Sequence, residues 1–301
     1  MSQLTSLWNY LNASPNVGTA IVGVAASFAG AWGAQVAIFR RDQRREVIAT
    51  LRAVNEAQAL CFAICNSFMS LKSQHLVAML ARFREIEKRF ESFLKEKREA
   101  EENGKPEIFA FQADLQTLPL SKVPIDRLER VVFEKLALDT RTLALAIELN
   151  KGIDAVNTST AARNEQLTSW YEGPPMSHDK MLIRYLGIKF ENGADEKYKQ
   201  TLVAIESYCN DCIFFSKLLS EALTEHGNGV RRKYRHHIFW RLPKVSEADY
   251  SSEKARKLIP DAKDYEQWLS GFQSHPTIRG RIKGFLSRKK NPAILSGNPK
   301  A

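Results

Sequence analysis

Residues 17–39, VGTAIVGVAASFAGAWGAQVAIF, carry no charge, and the chain then turns abruptly basic at Arg40, Arg41, Arg44 and Arg45. As a helix this stretch is about 34 Å long, enough to cross a hydrocarbon core of about 30 Å with some tilt. An Ala-rich core helix of a soluble protein rarely runs so far without a charge. Residues 1–16 contain no Lys, Arg, Asp or Glu, so the positive n-region of a secretory signal is missing. With all nearby cations on one side, the positive-inside rule predicts a single-pass topology in the plasma (inner) membrane. The short N-terminus (1–16) lies outside, with Trp8 and Tyr10 at the outer interface. Everything after Arg40 is cytoplasmic.

The span is unusual in its content. More than half of it is Gly, Ala or Ser. On a helical wheel Thr19, Gly23, Ala26, Ser27, Gly30, Gly33, Ala34 and Ala37 share one face, while Ile21, Phe28, Trp32, Val36 and Phe39 lie opposite. Ala26, Gly30 and Ala34 repeat the small-xxx-small spacing that lets two backbones approach closely in lipid, where no hydrophobic drive pairs helices. Gly23, Ala26, Ser27, Gly30 and Ala34 are therefore the candidate packing residues. Because one span is visible, the partner helix is expected from a second copy or from another membrane protein. A plain anchor with incidental small residues is the alternative.

Beyond Arg40 the periodicity is helical nearly throughout, with no Gly-rich strand-turn-helix and no convincing hairpin signal. The expected fold is mainly α: one N-terminal transmembrane helix followed by a cytoplasmic helical bundle over 40–227. A first helix is predicted over about 41–102, with Leu76, Met79, Phe83, Ile86, Phe90 and Phe93 in heptad spacing. That stripe suits either the protein's own core or a coiled coil with a second chain. A second helix is predicted from Pro124 toward Trp170, burying Ile125, Leu128, Val132, Leu136, Leu143 and Ile147. A short third helix follows the turn YEGPPMSHD, over about 179–191. A fourth runs over about 194–226 and stops at HGNG. Long helices joined by short turns favour an antiparallel arrangement.

The charge is unevenly placed. Of the net +10, residues 228–301 carry 17 Lys/Arg against 6 Asp/Glu, so the remainder is nearly neutral. A basic, partly helical surface-binding region is expected over 228–290, and a disordered tail over 291–301. Within it, VRRKYRHHIFWRLPK (230–244) interleaves Arg231, Arg232, Lys233, Arg235 and Arg241 with Tyr234, Phe239 and Trp240, and His236 and His237 add charge below about pH 6.5. Such a mix suits an anionic bilayer surface, and equally suits phosphates and unpaired bases of a nucleic acid. IRGRIKGFLSRKK (278–290) places Ile278, Ile282, Phe285 and Leu286 on one face, the layout of an interfacial helix. Membrane lipid is the favoured partner, with nucleic acid as the alternative.

Chemistry-bearing patterns are sparse. Cys61, Cys65, Cys209 and Cys212 fall mid-helix among apolar residues and read as reduced core thiols rather than metal ligands. His178-Asp179 is similar to the dipeptide of metal-dependent phosphohydrolases. Those enzymes also need a separate upstream His, and His75 lies about a hundred residues away. After Ser177 the pair reads more simply as a helix start. No P-loop, dinucleotide fingerprint or catalytic triad pattern is present. The sequence reads as non-enzymatic, without cofactor or metal: a membrane-anchored scaffold, sensor or effector of bacterial-type topology that oligomerises through its span and engages the inner leaflet. The alternatives are a membrane-tethered nucleic-acid binder, in chromosome anchoring or anti-phage defence, and a membrane-perturbing effector.

Overall fold

One helix, α1 (Pro15–Leu71), runs from the uncharged stretch straight into the body of the protein. The computed structural model describes residues 15–100, 108–190, 193–237 and 240–271. The expectations for Trp8, Tyr10, Phe239, the 278–290 helix and the 291–301 tail lie outside them. The protein is mainly helical, and its N-terminal helix is long and apolar enough to cross a membrane, with none of its most apolar window buried in the chain. Val47 is the first buried residue of α1. From there Val47, Leu51, Val54, Gln58, Cys61, Cys65 and Phe68 are all buried. Their alternating four- and three-residue steps form a coiled-coil seam.

At Leu71 the helix does not stop. A π-helical turn, Lys72–Leu76, leads into α2 (Val77–Ala100). The extra residue of such a turn rotates the buried stripe, and the seam resumes through Leu76, Met79, Phe83 and Ile86. These side chains are covered by the protein itself: Phe83 packs on Tyr185 and Tyr198, and the half-buried Phe90 and Phe93 meet Phe109. The heptad stripe thus serves the intramolecular core. Lys72 ties the junction together, its Nζ donating to Asn210 Oδ1 (2.7 Å) and to the Leu258 carbonyl (2.8 Å). Burial lowers the Lys72 pKa.

The next helical segment is shorter than the sequence suggests. α3 (Ile125–Arg130) passes into a π-helical turn, Val131–Lys135, and Leu136 is extended. α4 (Thr140–Glu172) then begins afresh, capped by the Asp139 carboxylate, which accepts from the Thr142 N–H at 3.0 Å. This break changes the helical phase. The buried stripe of α4 is therefore Thr142, Ala146, Leu149, Ile153, Val156, Thr160, Arg163, Leu167 and Trp170, and the expected Ile147 is exposed. α5 (His178–Leu186) starts at Ser177, whose hydroxyl accepts from the Lys180 N–H, and ends at Gly187 in the left-handed region, φ 68°. A two-residue hairpin, β1 (Lys189–Phe190) with β2 (Gly193–Ala194), leads to α6 (Lys197–Lys233).

α6 is the central helix, packed against both α1 and α4. Its own seam is Leu202, Ile205, Cys209, Cys212, Ser216, Leu219 and Leu223, all buried. It runs antiparallel to α1. The Cys209 thiol donates to the Phe68 carbonyl (3.5 Å), the Cys65 thiol to the Ile213 carbonyl (3.8 Å), and the Gln58 amide to the Ser220 carbonyl (2.8 Å). The Gln58 amide also donates to the Thr224 hydroxyl, and the Ser220 hydroxyl donates back to Gln58 Oε1 at 2.6 Å. A polar seam residue with satisfied hydrogen bonds fixes register at a cost in stability.

The expected stop at HGNG does not occur. α6 continues through Gly227 and Gly229, although each glycine costs a helix about 1 kcal/mol relative to alanine. The reason for Gly227 is close packing. A Cβ there would stand 2.9 Å from Val245 and 3.0 Å from Val54. The returning chain is held by Asn55, which donates to the Lys244 carbonyl (2.8 Å) and accepts from the Ser246 N–H (2.9 Å). A short helix, α7 (Glu253–Leu258), follows. From Pro260 the chain forms a separate unit, whose described part is a 3-10 turn (Ala262–Tyr265) and α8 (Glu266–Gly271).

The connector over 108–124 is an extended strap clamped by side chains of α4. Asn164 exchanges both amide bonds with Leu118 (3.0 and 2.7 Å), and Asn157 does the same with Ser121 (2.9 and 3.2 Å). Two helical turns rise about 10.5 Å, and three extended residues cover about 10 Å, so the two amides match the strap's repeat. Arg163 is fully buried. It donates to the Gln116 carbonyl (2.7 Å) and to the Tyr198 hydroxyl (3.2 Å), with its guanidinium 5.4 Å from the Tyr198 ring centroid.

Candidate anion-binding cleft

A cation-rich concavity is built at the C-terminal end of α6. Glu225, Asn228, Arg232 and Arg235 follow three- and four-residue steps, with Arg231 adjoining them. With Tyr234, His237, Trp240, Arg241 and Leu242 they line an open cleft of about 890 Å3. α6 ends at Tyr234, whose N–H is donated to the Val230 and Arg232 carbonyls. The chain then curls through consecutive three-residue turns, the His237 N–H donating to the Tyr234 carbonyl (3.2 Å) and the Trp240 N–H to the His237 carbonyl (2.8 Å). Side chains three residues apart are eclipsed in such turns, which aligns Tyr234, His237 and Trp240. The His237 and Trp240 rings stack at 4.2 Å and 15°, and Tyr234 lies 5.9 Å from Trp240 at 22°.

Cations dominate the lining. Among the described residues, the ion pairs all lie elsewhere, so Arg231, Arg232, Arg235 and Arg241 have no carboxylate partner. The Nε of Arg231 is buried and makes no hydrogen bond. An orphaned buried donor costs about 1–3 kcal/mol unless a partner reaches it. Cations at a helix C-terminus are favoured by the helix dipole, which offsets part of their mutual repulsion. The cleft has the ingredients to hold an anion with several acceptor oxygens, because guanidinium forks match phosphate geometry.

Five of the six basic-region residues singled out in the sequence, Arg231, Arg232, Arg235, Trp240 and Arg241, line this cleft. The sixth, Lys233, is placed elsewhere, with its Nζ 5.3 Å from the centroid of the Tyr234 ring. Glu225 and Asn228 were not anticipated, because the expected stop at HGNG hid their place on the same helical face as the arginines. Gly23, Ala26, Ser27, Gly30 and Ala34 are all exposed on α1. A Cβ at Gly23 or Gly30 would meet nothing within 4 Å, and the Ser27 hydroxyl donates back to the Gly23 carbonyl at 2.8 Å.

The cysteines and the His-Asp pair have simpler environments. All four thiols are free and buried, and burial raises the pKa of Cys209 to about 12. They are core groups: Cys65 and Cys209 bond across the α1–α6 seam, and the Cys212 sulfur lies against Gly152 of α4. His178 packs edge-on against Phe111 and contacts Asp179 at 3.4 Å, at the first turn of α5. Among the described residues no group of three His, Cys, Asp or Glu side chains is arranged to hold a metal. The sequence matches no known family, and comparison with curated proteins and with solved structures returns no similar chain.

Proposed function

We propose that this protein is a membrane-anchored helical scaffold, sensor or effector. Its N-terminus lies outside the plasma (inner) membrane and its bundle in the cytoplasm. It associates with a second copy through Gly23, Ala26, Ser27, Gly30 and Ala34, and its basic end engages the anionic inner leaflet. The observation that carries this reading is the change in environment along a single unbroken helix. Val22, Val24, Phe28, Trp32, Ile38 and Phe39 are exposed, yet from Val47 onward the same helix is packed into a bundle. An exposed apolar cylinder of this length is untenable in water and suited to lipid. A helix continuous from the apolar segment into the bundle suits a role in tethering and association.

Disulfide crosslinking in native membranes tests it. Single cysteines replace Ala26, Gly30 or Ala34, or, as controls, Phe28 or Trp32, in a chain whose native cysteines are alanine. Dimers from the small face alone support self-association through the span. Equal yields from both faces reduce the span to an anchor. Release of the protein by alkaline extraction would remove the membrane reading itself. The ring stack favours a second reading, a membrane-tethered nucleic-acid binder, because unpaired bases stack on such platforms. That reading requires steeply salt-dependent binding of single-stranded oligonucleotides.

A further inference from the structure

The antiparallel register of α1 and α6 fixes the level of the cleft relative to the apolar segment. Phe68 is level with Cys209, Cys65 with Ile213, Gln58 with Ser220, and Val54 with Gly227. Carried on, this register sets Lys233 near Val47, where the bundle begins. From Val47 back to Phe39, the end of the uncharged stretch, is about 12 Å along the helix. The headgroup layer extends about 5–8 Å beyond the hydrocarbon core, and an arginine side chain reaches a similar distance. This register sets the cleft at the end of the bundle from which the apolar segment runs on, on the side of Arg40, Arg41, Arg44 and Arg45. α2, by contrast, carries its cations away from it.

We propose that this cleft is a discrete binding site for the headgroup of an anionic phospholipid bearing a phosphomonoester, in the leaflet on the bundle's side of the membrane. The proposal rests on the membrane-anchored reading above and sharpens it from diffuse attraction to a defined site. Three features select this ligand. The four arginines face one carboxylate, Glu225, so a ligand of about −1.5 to −2 charge, as a phosphomonoester carries, balances them better than a singly charged phosphodiester. Guanidinium forks match phosphate oxygens, and a monoester offers three such oxygens where a diester offers two. Trp240, stacked on His237, forms a wall suited to the interface, where tryptophan partitions. The volume lies within the range of about 300–1,000 Å3 usual for small-ligand sites.

The test uses the full chain in nanodiscs of phosphatidylcholine doped with either phosphatidate, a monoester, or phosphatidylglycerol, a diester. Native mass spectrometry counts the lipid retained. The expected result is one tightly held phosphatidate per chain, preferred over phosphatidylglycerol by about tenfold. Arg231→Gln with Arg235→Gln should weaken it at least about a hundredfold, the loss expected for two charge-assisted hydrogen bonds. Lys95→Gln with Lys97→Gln, the same charge change at the far end of α2, should leave it unaltered. Equal retention of both lipids, or indifference to the arginine pair, overturns the proposal. Displacement of phosphatidate by free glycerol 3-phosphate at similar affinity assigns the site to a soluble phosphate instead. Displacement by a single-stranded oligonucleotide assigns it to nucleic acid. Failure of the membrane reading would show separately, as release of the chain by alkaline extraction.

Discussion

The two halves of α1 solve opposite problems with the same backbone. Between Val22 and Phe39 the bulky side chains are exposed and no charge interrupts them, whereas between Val47 and Phe68 one stripe is buried and the other faces carry Arg52, Asn55 and Glu56. Among the described residues, the first half has nothing to pack on. The second packs on α6 through a heptad seam. Small residues appear in both, but with different surroundings. Ala53 and Ala57 are buried in the bundle, while Ala26 and Ala34 face outward. One continuous helix therefore couples whatever the first half touches to the position of the bundle, without a flexible linker between them.

The sharpest break of this comparison is a matched truncation. Phe68→Ala opens a cavity in the α1–α6 seam and should cost about 3–5 kcal/mol, read from chemical denaturation of the full chain in detergent. Phe28→Ala, in the exposed half, should leave the same curve unchanged. Comparable losses at both sites would mean that the apolar half is covered after all.

Next in size is a pair of glycines. Gly227→Ala forces a methyl against Val54 and Val245, and overpacking of this kind costs about 1–3 kcal/mol. Gly30→Ala has open space at its Cβ, so it should not destabilise the bundle. A smaller effect, about 1 kcal/mol, is expected for Asn164→Ala, which removes both amide bonds to Leu118. Its specific sign is faster proteolysis within 108–124 with α1 and α6 still protected.

How much of this was legible in the sequence follows from where side-chain chemistry and packing agree. The apolar segment, the helical class and the Leu76–Ile86 seam announce themselves through large apolar residues. The Val47–Phe68 seam does not, because Gln58, Cys61 and Cys65 occupy three of its positions and weaken the hydrophobic period. HGNG reads as a stop because glycine lowers helix propensity, but Val245 needs the space that only Gly227 leaves. The strap is invisible for a different reason. Its backbone partners are Asn157 and Asn164, two unremarkable polar residues seven apart, and only the fold reveals that their spacing matches an extended chain. The cleft was half legible. Arg231, Arg232, Arg235, Trp240 and Arg241 stand together in the sequence and line the cleft, whereas Lys233 does not, and the level of the cleft relative to the apolar segment depends on the α1–α6 register, a long-range fact.

The mildest test uses acid. The uncharged half of α1 contains no titratable side chain, so any pH dependence of unfolding belongs to the rest of the chain. His226, in the third-last turn of α6, is half-buried. Burial lowers its pKa below the ordinary 6.5, and the nearby Asp139 carboxylate only partly opposes this. The unfolded chain therefore takes up a proton before the folded one does. The contribution of neutral His226 is complete above about pH 6.5, and it fades as the pH falls toward the folded-state pKa. Asp139 acts at lower pH. Burial pushes its carboxyl up, but hydrogen bonds from the Thr142 N–H and hydroxyl and from the Arg141 N–H outweigh that and hold it below 3.8. Its share of stability is thus lost only as the pH drops through that lower value. Replacing His226 with Gln should flatten the first step and leave the second. If the first step persists in His226→Gln, another group carries it. If neither step moves with Phe28→Ala, acid and the apolar half act independently, as their separate surroundings require.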